Sequence, residues 1–232
     1  MVKLISFLLG MLFFFVPLLT AQSNNDAVSV DPFHHHVIFE NDHVRVFEVL
    51  ASPGATSQMH SHPPSVMISA GKARLNMDTP QGSDIIFDLN KGQIFWLEGL
   101  DHSWELLSGD LHVFGVEIKS AASNQIPAPV ELGSRDAVTL DPTHHHVLFE
   151  NDHVRVFEVL GAPGATSPMH THAGVLGISL EKVRTNMSVP GSSGFVFDLH
   201  PGQVFWFDEA EHNWELSAGK LHVVGIEVKS AR

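Results

Sequence analysis

Two histidines one residue apart, His60 and His62, are followed well downstream by His102, and the arrangement recurs as His170, His172 and His212. On a strand, positions i and i+2 face the same side, so each close pair can present both imidazoles to one point. A distant third imidazole then completes three neutral nitrogen donors, a set suited to a divalent first-row metal. His60, His62 and His102, with His170, His172 and His212, are therefore the candidate ligands of one metal per half.

Other residues carry weaker signals. His34-His35-His36 and His144-His145-His146 alternate in facing if extended, so at most two of each trio share a side. They could form a second metal site or line a barrel mouth, and an exposed strand edge is the favoured reading. His112 and His222 read as strand positions satisfied by hydrogen bonds. Lys72, Arg74 and Asn76 recur as Lys182, Arg184 and Asn186. A solvated strand face is favoured for them over an anion site. Trp96, Trp104, Trp206 and Trp214 are expected in the core rather than as stacking platforms. Glu105 and Glu215 should point away from the third histidine, three residues earlier. Met67, replaced by Gly177 in the copy, could offer copper a thioether, although core filling is the commoner use of methionine. The loss of that side chain predicts a roomier pocket in the second half.

The elements that hold these residues are set by a duplication. Asp31-Pro32 recurs as Asp141-Pro142, and the same offset of 110 residues still holds at Glu117 and Glu227. The run Val44-Arg45-Val46-Phe47-Glu48-Val49 mixes β-branched and aromatic residues with charges, as a partly buried strand does. Turn signals follow at Pro53-Gly54, Gly71-Lys72, Pro80, Lys91-Gly92, Glu98-Gly99 and Ser108-Gly109. Strands punctuated this often predict an all-β sandwich or barrel in each half. The expected domains are residues 27–121 and 135–232, joined by a linker over 122–134 that contains Pro127, Pro129 and Gly133.

Residues 1–21 read as a secretory signal peptide: Lys3, an apolar stretch, then a small-residue exit at Ala21. A secreted or periplasmic protein, free of the membrane after cleavage, is the expectation. The chain has 232 residues, and 26 acidic against 13 basic side chains give a formal net charge of -13, which repels phosphate backbones and excludes nucleic acid as an expected partner. The absence of cysteine excludes disulfides, thiolate metal sites and thiol nucleophiles.

Gly54 with His60 and His62, and Gly164 with His170 and His172, resemble the first motif of the cupin superfamily, and His102 and His212 match the histidine of its second motif. The resemblance covers each half and implies two tandem cupin barrels, double-stranded β-helices of the jelly-roll kind with a metal inside each. Val66-Met67 and Leu176-Gly177 stand where the family's glutamate ligand falls, and Leu97-Glu98-Gly99 and Phe207-Asp208-Glu209 replace its Pro-x-Gly turn. The ligand set that remains is similar to that of three-histidine cupins such as thiol dioxygenases.

Such a set suits copper or iron(II), with zinc or nickel as further options, and manganese less. The expected function is a secreted metal-dependent oxidoreductase, a dioxygenase or a copper-dependent oxidative enzyme, acting on polysaccharide or on small organic molecules. The alternatives are a non-catalytic binder of metal or small ligand, and a metal-dependent sugar isomerase or lyase. Either intramolecular pairing of the two domains in a monomer or a homodimer is expected.

Overall fold

The structure is a computed structural model and describes residues 25–122 and 133–231. The signal peptide and most of the linker lie outside the described residues. Among the described residues, no helix is long and apolar enough to cross a membrane.

The first half runs through nine strands: β1 (His35–Glu40), β2 (Val44–Ala51), β3 (Thr56–His62), β4 (Ser65–Ser69), β5 (Ala73–Thr79), β6 (Gly82–Leu89), β7 (Ile94–Leu97), β8 (Leu100–Gly109) and β9 (Leu111–Ile118). The second half repeats them as β10 (His145–Glu150), β11 (Val154–Gly161), β12 (Thr166–His172), β13 (Val175–Ser179), β14 (Val183–Ser188), β15 (Phe195–Leu199), β16 (Val204–Phe207), β17 (Ala210–Gly219) and β18 (Leu221–Val228). Single helical turns α1 (Ala27–Val30), α2 (Lys119–Ala122) and α3 (Ala137–Leu140) flank the strands.

In each half a five-stranded sheet faces a four-stranded one. The orders are β1-β2-β9-β4-β7 and β3-β8-β5-β6, with β10-β11-β18-β13-β16 and β12-β17-β14-β15 as the copy. All these pairings are antiparallel. The result is the double-sheet jelly roll, an all-β fold in both halves.

Period-two alternation assigns the two faces of the larger sheet. Phe47, Val49, Leu111 and Val113 face the barrel interior with Leu75, Leu106 and Trp104. Val44, Val46, Val66, Ile68, Phe114, Val116 and Ile118 face the other way, in one cluster with Val154, Val156, Leu176, Ile178, Val224, Ile226 and Val228 of the second half. Left open to water, either apolar face would far exceed the patches that soluble monomers tolerate. The halves therefore share a core. Two ring stacks flank it: His43 on Trp206 at 5.4 Å and Trp96 on His153 at 6.0 Å.

Trp104 and Trp214 are buried inside their barrels, while Trp96 and Trp206 are half-buried at this junction. Lys72, Arg74, Lys182 and Arg184 are exposed, with Arg74 near Asp88 and Arg184 near Asp198, as a solvated face requires. Glu105 and Glu215 are exposed as well.

Candidate metal centre

His60 and His62 point inward from β3, His60 fully buried and His62 nearly so, while Ser61 between them faces out. Across the sheet His60 pairs in register with His102 on β8, just past a bulge that follows Ser57. The His60 and His102 rings lie 4.5 Å apart, and those of His62 and His102 lie 5.3 Å apart. The second half repeats this with His170, His172 and His212, at 4.5 Å and 5.4 Å.

A further imidazole enters from β1. That strand is an edge strand, as its histidine triplet suggested, but its middle histidine is not at an exposed edge. His35 is buried at 2 % exposure, with its ring 4.7 Å from His60 and 5.5 Å from His62, and His145 is placed the same way. His36 on the opposite face is exposed. The favoured exposed-edge reading is thus corrected for His35 and His145, and also for His34, which is buried with Nδ1 2.9 Å from the Asp31 carboxylate. Pairing of β1 with β2, His35 opposite Val49, turns this residue into the barrel.

The nitrogens that approach within 4.8 Å of one another belong to His35, His60 and His62, and in the copy to His145, His170 and His172. His102 and His212 stand against these trios as fourth rings.

The outer nitrogens of each trio are already engaged. His60 Nδ1 lies 2.7 Å from the Gln58 carbonyl and His170 Nδ1 lies 2.7 Å from that of Pro168. A carbonyl only accepts, so Nδ1 carries the proton and Nε2 carries a lone pair. His35 and His145 donate in the same way to the carbonyls of Asp31 and Asp141, each at 3.3 Å. His62 and His172 turn Nδ1 to the carboxylates of Glu117, at 3.5 Å, and Glu227, at 2.8 Å. Nε2 of His60 and of His170 is buried with no hydrogen-bond partner. A buried lone pair left unmatched is costly unless something binds it, and converging Nε2 atoms with Nδ1 hydrogen-bonded outward are the arrangement that metal-ligating histidines adopt. The residues present fit a divalent metal.

Burial also keeps these rings neutral. Burial, then the neighbouring rings of His62 and His60, push His35 down to about 3. Burial, then His60 and Arg45, push His62 to about 3. His102 falls to about 2 from burial and its histidine neighbours. His145 and His172 likewise fall to about 3, and His60 and His170 are lowered by burial. Neutral imidazole is the form that coordinates a metal.

Sequence reasoning passed over the carboxylates behind this site. Glu117 is 3 % exposed on β9 and also accepts from Arg45 Nε at 2.5 Å, while the other end of Arg45 pairs with Asp26 at the start of α1. Arg155 joins Glu227 at 2.6 Å and Asp136 at 2.5 Å in the copy. Burial raises the Glu117 carboxyl, and Arg45 opposes that rise. A detectable signal existed: a glutamate between β-branched residues, Val116-Glu117-Ile118, repeated as Ile226-Glu227-Val228.

Gly115 and Gly225 position a second support. A Cβ on Gly115 would fall 2.1 Å from Phe47 Cζ, so only glycine leaves room for that ring. Phe47 in turn stacks on His62 at 5.0 Å, and Phe157 on His172 at 5.3 Å.

Each site opens onto a cavity inside its barrel, walled in the first half by His35, His62, His102, Met67, Leu75 and Phe95 among others. Met67 is one wall of this cavity and packs on the barrel core. The corresponding cavity of the second half has Gly177 in its wall, yet both volumes are about 80 Å³. The expected gain in room is therefore corrected. Phe205 fills the place of the missing side chain, with Cζ 2.0 Å from where a Gly177 Cβ would stand.

No protein-family model matches the sequence, and no curated protein matches it. Solved structures do match. Oxalate decarboxylase from Bacillus subtilis superposes with a TM-score of 0.56 at 14 % identity, over 89 % of this chain and 72 % of that one. AerE from Microcystis aeruginosa gives 0.54 at 15 % identity, over 84 % and 97 %. A cupin 2 conserved barrel domain protein from Leptotrichia buccalis gives 0.51 at 12 % identity, over 84 % and 88 %. The fold is that of a bicupin. In this bicupin both barrels carry a three-histidine group able to hold a metal, one per domain.

Proposed function

We propose that this bicupin is an exported metal-dependent oxidoreductase acting on small organic molecules that enter the barrels. The observation that carries the reading is the buried convergence of His35, His60 and His62, with His102 alongside, at the floor of a cavity, repeated in the second half. An all-imidazole donor set favours copper or iron(II), with zinc or nickel following, over metals that prefer oxygen. The Bacillus subtilis oxalate decarboxylase has Mn(II) centres. Val66-Met67 and Leu176-Gly177 offer no carboxylate toward such an ion here.

A bound metal would supply Lewis acidity and, as copper or iron, one-electron chemistry at open coordination positions. The chain's own residues do the rest. Glu117 and Glu227 orient His62 and His172 and keep their protons on Nδ1, and the apolar walls exclude water. An interior cavity supports a small substrate over a polysaccharide, and its sparse polar groups give a sugar little to bind. Export is supported by the sequence of residues 1–21.

The second reading is a non-catalytic metal binder. It is favoured by the lack of any carboxylate among the cavity-lining residues, since Glu117 and Glu227 are held by arginine and histidine. The test is elemental analysis of tag-free mature protein, followed by oxygen-uptake assays across small organic substrates. Copper or iron near two per chain, with oxygen-dependent turnover, supports the enzyme. Stoichiometric metal with no turnover leaves the binder. Zinc or nickel with turnover independent of oxygen moves the assignment to an isomerase or lyase.

A further inference from the structure

The two cavities share a plan, and three of the positions that line both differ. Leu97, Met67 and Leu75 of the first half are replaced by Phe207, Gly177 and Thr185 in the second. The replacements build a connected aromatic wall. Phe197 lies 4.9 Å from Phe205 and 5.6 Å from Phe207, and Phe207 lies 5.7 Å from the His212 ring. Phe195, 41 % exposed, continues this string outward, 5.8 Å from Phe197. The first half has one such contact at the equivalent positions, Phe87 with Phe95 at 5.6 Å.

No aspartate, glutamate, lysine or arginine lines this wall. Arg155 is taken up by Glu227 and Asp136 and does not line the cavity. The residues with polar groups that do are His145, His172 and His212 on the floor, Thr185, and Trp214 through its indole nitrogen. A dianion would meet no cationic side chain there. A sugar would lose most of its hydrogen bonds to water without replacement, which costs more than apolar contact returns. An aromatic ring, in contrast, gains edge and face contacts with phenylalanine beyond its simple burial. A volume of about 80 Å³ limits the ligand to one small ring at most.

We propose that the cavity of the second half binds a single-ring aromatic molecule carrying one oxygen donor, a phenol-type ligand, with the ring among Phe197, Phe205 and Phe207 and the oxygen toward the histidines. The oxygen end of this assignment rests on the proposed metal site; the ring end rests on the cavity alone. Gly177 matters because it lets Phe205 lie flat into the wall, and Phe207 because it links the wall to the site.

Fluorine NMR of the mature protein separates the two ends. Para-fluorotoluene, which has no donor, should broaden and shift with metal-free protein. Para-fluorophenol should bind the zinc-loaded protein about tenfold more tightly than the metal-free one, and oxalate should not displace it. Phe207→Leu should weaken para-fluorotoluene by about threefold to tenfold, with zinc content and melting temperature near wild type. The first half already carries leucine at the equivalent position, Leu97, so the barrel accommodates it. Leu97→Phe, the mirror change, should leave the second-half signal unchanged. Failure of para-fluorotoluene to bind folded protein, indifference to Phe207→Leu, or displacement by oxalate would each overturn the assignment. If zinc does not load while para-fluorotoluene binds, the metal reading falls and the aromatic cavity stands.

Discussion

Glu227 Oε1 lies 2.8 Å from Nδ1 of His172, whereas Glu117 Oε1 lies 3.5 Å from Nδ1 of His62. The second contact is at the limit of a hydrogen bond and the first is of ordinary charge-assisted length. The same duplicated residues thus support their ligands unequally.

Glu227→Gln is therefore expected to weaken metal binding at the second site by about 10-fold to 100-fold, the usual effect of removing a carboxylate behind a ligating histidine. Glu117→Gln should cost the first site less. Competition titration with a chromophoric chelator reads both affinities. Equal losses would show that the two distances do not reflect different support.

The rings divide the site in a way that single substitutions resolve. His35 belongs with His60 and His62 in the group whose nitrogens meet, and His102 stands beside it. His35→Ala should drop bound metal from two per chain toward one, as His60→Ala should. His102→Ala should retain the ion at reduced affinity and leave an open coordination position. Elemental analysis after dialysis distinguishes them. Full retention of metal in His35→Ala, with loss in His102→Ala, would favour His60, His62 and His102, the trio expected from the sequence motif.

The strand pair and the fold were readable because alternation and a repeated motif both point one way. His60 and His62 share a face of β3, and the turn signals fall between the observed strands except Ser108-Gly109, which ends β8. His35 was not readable in the same way. Three consecutive histidines alternate, and which one faces the barrel depends on the register of β1 against β2, with its shift between Val37 and Phe39. Glu117 was hidden because a lone carboxylate in an apolar strand declares its partners only when Arg45 and His62 are brought beside it. The equal cavities show a further limit. Removing a side chain at Gly177 opened no space, since Phe205 packs into the gap. Well-packed interiors close such gaps wherever a neighbouring ring can reach.

Gly115 carries a stability prediction. A methyl group there would meet the Phe47 ring, and Phe47 is fully buried with no space to retreat. Gly115→Ala should destabilise by about 1–3 kcal/mol through overpacking, and it should also tilt the ring stacked on His62. Thermal melting of the metal-free protein reads the first effect and metal affinity the second. A wild-type melt with wild-type affinity would mean that Phe47 does not hold His62 in place.

Acid should unfold the metal-free protein well above the pH at which the site histidines protonate in place. His35, His62, His145 and His172 titrate near 3 when folded and His102 near 2, against 6.5 for the model side chain. The unfolded state then binds more protons below about pH 6.5, so stability is present above that value and falls as pH falls. Each such histidine removes up to about 1.4 kcal/mol per pH unit below the unfolded value. The five act in the same direction, so the acid transition of the metal-free protein is expected below pH 6.5 and above the folded-state values near 3. Zinc should move the transition to lower pH, because it binds only the neutral rings and must be displaced by protons before they charge. Circular dichroism across a pH series, with and without zinc, measures both. A transition below pH 3.5 without metal, or one that zinc leaves unmoved, would contradict a buried neutral histidine cluster that binds the ion.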